Sequence, residues 1–196
     1  MNPTAFTTRL LPWVLTAGGA VGLVAAFVLT VEKTTLLKNP DYIPTCSIDP
    51  ILSCGSIMRT AQAEVFGFPN PLLGIVGFAI VVTIGVVVLA GGSLPRWFWL
   101  GLQAGTLLGV VFVHWLIYQS LYVIGALCPY CMIVWAVTIP VFWYITVHNL
   151  GEGHLPAPRR LAALATGYHG VILTVWYAAI VLLVLQAFWS YWLSLL

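Results

Sequence analysis

Residues 97–150 read WFWLGLQAGTLLGVVFVHWLIYQSLYVIGALCPYCMIVWAVTIPVFWYITVHNL and contain no Asp, Glu, Lys or Arg. At about 20 residues per bilayer crossing, an uncharged apolar stretch of this length predicts two membrane-spanning helices. The natural break between them is Gly125 to Pro129, which places a Cys128-Pro129-Tyr130-Cys131 motif at the start of the second helix. The stretch therefore indicates an integral membrane protein with a cysteine pair near one membrane face.

The rest of the chain contains three further apolar segments of spanning length, at 10–31, about 70–90 and within 169–192. Of the 196 residues, 61% are hydrophobic and 6% are charged, whereas about a quarter are charged in an ordinary soluble domain. We expect a single all-α polytopic membrane domain over 1–196, made of a four-helix transmembrane bundle core (about 10–148), an outer-face loop (32–68) and an additional, fifth transmembrane helix (about 169–192). The net charge of +2 and the lack of a polybasic run argue against a nucleic-acid partner.

The short connections follow the positive-inside rule weakly, which predicts a cytoplasmic N-terminus. The cationic residues that this topology places inside are Arg9, Arg96, Arg159 and Arg160. Both the loop at 32–68 and the break at 125–129 then lie on the outer face, together with all four cysteines: Cys46, Cys54, Cys128 and Cys131. An even cysteine count in an oxidising compartment points to disulfides, and none of the four lies within an apolar helix, where cysteine is well tolerated.

The C-x-x-C motif has the features of a reactive thiol pair. Pro129 suits the first turn of a helix, and the spacing puts both sulfurs on one helix face, where unpaired N–H groups and the helix dipole stabilise a thiolate. Met132 and Trp135 continue down that face and offer an apolar surface for a flat quinone ring. The alternatives are a static disulfide or half of a metal site.

Cys46 and Cys54 are separated by seven residues in a segment punctuated by proline. Such a loop can be flexible enough to carry one sulfur to an outside protein and the other to a buried acceptor. The run from Ile51 to Phe66 has helical spacing that includes Cys54 and Met58, so we expect a short lid helix across the bundle mouth. In isolation a structural loop disulfide is an equal alternative, but both pairs together predict a relay by disulfide exchange to a membrane quinone.

A rival interpretation is a small membrane transporter or metal-binding membrane protein that uses the thiols as ligands, since zinc sites of four cysteines exist. A purely structural scaffold with stapled loops is a second. Transport needs polar groups within the membrane, and only His114 is obvious there; we expect it to be a neutral packing histidine. We also expect close helix packing at two glycine series, which are Gly18, Gly19 and Gly22, and Gly101, Gly105 and Gly109.

The chain resembles the bacterial branch of the vitamin K epoxide reductase family over roughly residues 10–148. The resemblance is carried by Cys46-Ser-Ile-Asp-Pro-Ile-Leu-Ser-Cys54-Gly-Ser, by Phe66-Gly-Phe-Pro-Asn70-Pro71, and by Cys128-Pro-Tyr-Cys131. The similar DsbB family does the same chemistry with the two pairs in the opposite order.

The resemblance implies a bundle around a quinone, menaquinone or ubiquinone, with no metal. It implies that Cys46 accepts electrons from a thioredoxin-like or DsbA-like extracytoplasmic protein, that Cys54 carries them to Cys128, and that Cys131 lies closest to the quinone. Asn70 matches a position that hydrogen-bonds a quinone oxygen, and Met58, Met132 and Trp135 are the further expected contacts. Animal relatives have a tyrosine where this chain has Trp135, which favours plain quinone reduction over epoxide reduction. Some bacterial relatives carry a thioredoxin-like domain after the fifth helix; we expect none here, and therefore a separate partner protein at the outer face of the inner (plasma) membrane.

Overall fold

The computed structural model describes residues 3–194, and the side chains of 9–193. Residues 1, 2, 195 and 196 of the predicted single domain lie outside the described residues. Within the described chain the fold is all-α, with two isolated β-bridges and no longer strand. Five helices are long and apolar enough to cross a membrane, which confirms the predicted class.

The helices of spanning length are α1 (Pro3–Lys38), α3 (Pro71–Leu89), α4 (Arg96–Tyr118), α5 (Pro129–Gly151) and α7 (His169–Ala187). The shorter ones are α2 (Cys54–Met58), α6 (Arg159–Gly167) and α8 (Trp189–Ser194). A 3-10 turn covers Ala61–Glu64, and a π-helical turn, Gln119–Ile124, extends α4. The break predicted at Gly125 to Pro129 is observed, since Gly125 adopts a left-handed conformation (φ 70°) and Pro129 opens α5.

Helices α1, α3, α4 and α5 form the core of the bundle. Helix α1 packs against α3 and α5, and α4 packs against α5. Leu15 and Ile145 are completely buried in the apolar cluster where these helices meet. Helix α7 lies at the periphery and buries none of its side chains, so its apolar surface is left for lipid.

The glycines of α1 pack as expected. A Cβ added at Gly19 would lie 2.7 Å from the backbone nitrogen of Val82, and one added at Gly22 would overlap the ring of Phe78. Helices α1 and α3 approach this closely because neither glycine has a side chain.

The same expectation is wrong for α4. A Cβ at Gly101 or Gly105 would meet no neighbouring atom within 4 Å, and one at Gly109 would meet only the Thr138 methyl group, at 3.8 Å. These glycines face a cavity rather than another helix.

The predicted lid helix over 51–66 is also not continuous. Residues 51–53 pair with other backbone segments, α2 spans only Cys54–Met58, and Thr60 is extended (φ −88°, ψ 153°) before the 3-10 turn begins. The fifth helix likewise ends at Ala187, and the aromatic residues that follow form the separate helix α8. Helix α6 was not predicted because it is too short and too polar to register as a span.

Candidate active site

Backbone pairing brings the two cysteine-bearing segments together. The Leu127 N–H donates to the Ile51 carbonyl at 2.7 Å, and the Ser53 N–H donates to the Leu127 carbonyl at 2.9 Å. The turn at Gly125 directs the chain to this position, because the Gly125 N–H closes onto the Ser120 carbonyl at 3.0 Å. The residues that follow the two paired segments, Cys54 and Cys128, therefore lie side by side.

The four cysteines lie at one end of the bundle in a defined order. Cys46 and Cys54 form a disulfide with their Cα atoms 5.5 Å apart, and Cys128 and Cys131 are free. The Cys54 sulfur lies 3.0 Å from the Cys128 sulfur, although 74 residues separate them in the chain. Cys54 and Cys128 are fully buried, while Cys131 is partly exposed.

This geometry suits thiol–disulfide exchange, in which a thiolate attacks one sulfur of a disulfide. Cys128 is the available nucleophile, and it sits at the N-cap of α5, where its sulfur accepts from the Cys131 N–H at 3.4 Å. A hydrogen bond from the Cys131 thiol lowers the pKa of Cys128, and the N–H groups of Cys131 and Tyr130 lower it further against the opposing effect of burial.

The sulfurs of Cys46, Cys54 and Cys128 all lie within 4.8 Å of one another. Metal coordination by cysteine uses thiolates, and two of these three sulfurs are bonded to each other. The cluster is therefore a disulfide with a thiol beside it, and it does not support the metal-binding interpretation.

Asp49 organises the loop between Cys46 and Cys54. Its Oδ1 accepts from the N–H groups of Ile51 and Leu52, each at 2.8 Å, and its Oδ2 accepts from the Tyr191 hydroxyl of α8 at 2.8 Å. The Leu52 N–H and the Tyr191 hydroxyl are the main causes that lower the pKa of the Asp49 carboxyl. Helix α8, which follows the fifth spanning helix, is thus joined to the loop that carries the disulfide.

The start of α2 is held by two serine side chains. The Ser53 hydroxyl caps the helix by accepting from the Ser56 N–H at 3.2 Å. The Ser47 hydroxyl accepts from the Gly55 N–H at 3.1 Å. These bonds fix Cys54 at the first position of α2.

An apolar cavity of about 540 Å³ lies between α3 and α4, with α1 and α5 forming its inner wall. Four of the predicted quinone contacts line it: Met58, Asn70, Cys131 and Trp135. Met132 does not; it packs in the apolar cluster that includes Phe188 of the C-terminal segment. Gly77, Gly101 and Gly105 also line the cavity, and their missing side chains keep it open.

Asn70 is anchored at the end of this cavity nearest to α2. Its Nδ2 donates to the Gln62 carbonyl at 2.7 Å and its Oδ1 accepts from the Val65 N–H at 3.1 Å. A primary amide carries two N–H groups, so one remains for a ligand. The cavity is of the size and apolar character typical of small-molecule sites, with a few polar groups at one end, and a quinone head group fits that description.

His114 and Gln103 have structural partners elsewhere in the bundle. The Nδ1 of His114 lies 2.7 Å from the Val110 carbonyl, and its Nε2 accepts from the Trp176 indole at 2.9 Å. This is the arrangement of a neutral imidazole with both nitrogens satisfied, as expected for a packing histidine. Gln103 is bonded to Thr146 and Asn149 of α5.

Sequence reasoning missed Glu32 and Lys33, which directly follow the first apolar segment. Both are 6% exposed. Glu32 accepts from the Tyr42 hydroxyl at 3.0 Å and from the N–H of Thr45, the residue before Cys46. Lys33 donates to the Met58 carbonyl at 2.6 Å and pairs with Glu64 at 2.8 Å. Two adjacent charges at a span end carry no local signal that distinguishes burial from exposure.

A helical membrane protein that holds a disulfide against a free C-x-x-C pair, beside an apolar cavity, is a membrane thiol–disulfide oxidoreductase. The comparison with known families agrees: the chain belongs to the vitamin K epoxide reductase family, whose model matches residues 13–146. The match covers the core of the bundle and all four cysteines, and members of this family use a quinone as electron acceptor. No curated protein matches the chain.

Proposed function

We propose that the protein oxidises the dithiol of an extracytoplasmic thioredoxin-like, DsbA-like protein and passes the electrons to a membrane quinone. The observation that carries this proposal is the 3.0 Å approach of the Cys128 sulfur to the Cys46–Cys54 disulfide. A structural disulfide between loops needs only one pair of cysteines. A disulfide relay needs a second pair in contact with the first, and this second pair is present.

Electrons and protons balance over the cycle. A partner thiolate attacks Cys46, Cys54 leaves as a thiolate, and the partner's second thiol displaces Cys46, so that the partner is oxidised and Cys46 and Cys54 become thiols. The Cys128 and Cys131 thiols form a disulfide and release two electrons and two protons, which convert the quinone to a hydroquinone. Cys54 then attacks Cys128 and Cys131 leaves; Cys46 attacks Cys54 and Cys128 leaves. This restores the Cys46–Cys54 disulfide and the two thiols of the C-x-x-C pair.

The outer surface near Cys46 suits a protein partner. Cys46 itself is 6% exposed, but Ile43 and Ile48 on either side of it are 74% and 70% exposed. These two side chains offer apolar area that a bound partner could cover. A partner would dock on these isoleucines, and a local movement of the loop would then expose the Cys46 sulfur.

The cavity is our proposed quinone site. Cys131 is the cysteine that lines it, which agrees with its role as the terminal donor, and Asn70 offers a free N–H at the same end. Trp135 and Met58 supply apolar surface. Met132 does not line the cavity and packs in the same apolar cluster as Trp135, so we propose that it supports Trp135 rather than touching the quinone. Either menaquinone or ubiquinone suits this chemistry.

We place the protein in the plasma (inner) membrane with its N-terminus in the cytoplasm and the cysteines at the outer face. Arg96 opens α4 and bonds to the His154 carbonyl after α5, at the opposite end of these helices from Cys128. The positive-inside rule favours this end as the cytoplasmic one, and disulfide exchange requires an oxidising compartment at the other.

The test uses purified protein, a reduced thioredoxin-like protein and a short-chain quinone under anaerobic conditions. Wild type should reduce the quinone, and each of the four Cys→Ala variants should lose this activity. The exposed Thr83→Ala variant is the matched control and should keep it. Turnover that survives in all four cysteine variants would refute the relay.

A second measurement addresses the partner end. In Cys54→Ala, Cys46 is a free thiol. It should attack a partner whose second active-site cysteine is replaced and whose remaining cysteine is activated as a mixed disulfide with thionitrobenzoate. Thionitrobenzoate leaves, and the Cys46–partner disulfide should accumulate because neither Cys54 nor a second partner thiol is present to resolve it. If Cys54→Ala never traps the partner, the entry point is not Cys46.

A further inference from the structure

Lys33 occupies an unusual position for a lysine at the end of a membrane helix. Such lysines ordinarily extend toward the interface, yet Lys33 is 6% exposed. It lines the 540 Å³ cavity together with Cys131 and Asn70, and it also lines a second cavity of about 420 Å³ at the outer side of α2. Lys33 therefore lies in the wall between the proposed quinone site and the second cavity.

The two partners of the Lys33 ammonium group differ in position. Glu64 lines the second cavity but not the 540 Å³ cavity, whereas Met58 and Lys33 itself line both. Lys33 uses one N–H on the Met58 carbonyl and one on Glu64. An ammonium carries three N–H groups, which leaves one for a ligand in the cavity. Among the described residues that line this cavity, Lys33 is the only Asp, Glu, Lys, Arg or His.

We infer that Lys33 is a further functional residue of the proposed reaction: its ammonium stabilises the negative charge that develops on a quinone oxygen as electrons arrive from Cys131. The inference rests on the proposed function. Cys128 and Cys131 lose two electrons and two protons as their disulfide forms, and both the electrons and the protons end on the hydroquinone. Lys33 neither gains nor loses a proton overall. It acts by charge, and a fixed charge in an apolar, water-poor site is far more effective than one in water.

The experiment compares Lys33→Gln with Lys33→Arg, and with Lys38→Gln as the matched control. Lys38 lies on the same helix and is exposed. Removal of one group that stabilises developing charge lowers kcat by about 100-fold or more at a preorganised site, so Lys33→Gln should reduce the rate of quinone reduction by at least about tenfold. Lys33→Arg should restore most of this loss because it keeps the charge, and Lys38→Gln should have no effect.

Two further readouts separate this role from a merely structural one. The first readout is the rate of exchange between Cys54 and Cys128, which is measured by thiol alkylation in the absence of quinone. This rate should be the same in Lys33→Gln as in wild type. In a Cys128→Ala background, the absorbance change of quinone bound beside Cys131 should weaken in Lys33→Gln and return in Lys33→Arg. If Lys33 only supported α2 through the Met58 carbonyl, Lys33→Gln would instead slow the exchange between Cys54 and Cys128. Quinone reduction would then slow by the same factor as sulfur exchange.

The outcomes are distinct. If wild type reduces no quinone, the proposed function fails. If wild type reduces quinone and Lys33→Gln does so equally well, or if Lys33→Gln slows sulfur exchange and quinone reduction by the same factor, the role assigned to Lys33 is wrong.

Discussion

Replacing Cys46 by alanine should convert the contact between Cys54 and Cys128 into a disulfide. The variant removes the partner to which Cys54 is bonded and leaves its sulfur 3.0 Å from that of Cys128. Reacting atoms held within about 3–3.5 Å have very high effective concentrations. Once quinone has oxidised the inner pair, Cys54 attacks Cys128, and with Cys46 missing the disulfide cannot move on to the outer surface.

The exchange changes the loop that the disulfide closes, from a separation of 8 residues in Cys46–Cys54 to 74 in Cys54–Cys128. In the chain-entropy model these loops stabilise the folded state by about 2.5 and about 4.5 kcal/mol respectively. The Cys46→Ala variant should therefore be about 2 kcal/mol more stable than wild type when oxidised. For a chain of this size that raises the unfolding temperature by roughly 4–8 °C.

The assay is thermal unfolding in detergent, with and without reductant, together with mass spectrometry of peptides cleaved after alkylation. A peptide pair linked through Cys54 and Cys128 should appear in Cys46→Ala and disappear in Cys46→Ala/Cys128→Ala. The rise in unfolding temperature should disappear with reductant. Alkylation of both Cys54 and Cys128 as free thiols, after oxidation by quinone, would refute the reasoning from their proximity.

Three further predictions concern the cavity and the loop. Gly105→Leu should fill part of the cavity and raise the KM for quinone without lowering stability, because a Cβ there meets no atom within 4 Å. The control is Gly170→Leu, since a Cβ at Gly170 also meets no atom within 4 Å but Gly170 does not line the cavity. This variant should leave the KM unchanged. Asn70→Leu removes both hydrogen bonds of the side-chain amide and its free N–H. It should also weaken quinone binding, whereas sulfur exchange between Cys54 and Cys128 should continue. Equal losses in quinone reduction and in sulfur exchange would contradict the role assigned to Asn70. The pKa of Asp49 lies below its ordinary 3.8, so its contribution to the loop is complete above that pH and is lost as the pH falls through the lower folded value. The protection factor of the Leu52 amide against hydrogen exchange, which is the intrinsic rate at each pH divided by the observed rate, should therefore fall in that acidic range in wild type and stay constant there in Asp49→Asn.

The spans and the reactive motif could be predicted because their signals are local. A run of 54 residues without Asp, Glu, Lys or Arg allows few structures other than two membrane helices. A proline inside C-x-x-C fixes the motif at a helix start. The number of predicted membrane spans between the two cysteine pairs places all four sulfurs at the same end of the bundle. This inference needs no knowledge of how the helices pack.

What could not be predicted depends on contacts between distant parts of the chain. The 3.0 Å distance between the Cys54 and Cys128 sulfurs depends on backbone hydrogen bonding between Ile51 and Leu127. No sequence pattern in either segment predicts this pairing. Gly19 and Gly105 look alike in sequence, yet one meets α3 and the other a cavity, because only the packing decides what faces each glycine. The burial of Lys33 likewise depends on α2 and on Glu64 covering it.

The most direct test of the sulfur relay is a rapid-quench experiment on the protein in lipid nanodiscs that contain a known amount of quinone. The reduced partner is mixed in without oxygen, thiols are alkylated at set times, and hydroquinone is measured in the same samples. The relay predicts one hydroquinone for each partner disulfide formed in wild type, and in Cys131→Ala oxidation of the partner that stops within a single turnover with no hydroquinone. Hydroquinone formed by Cys131→Ala at the wild-type rate would show that electrons reach the membrane by another route.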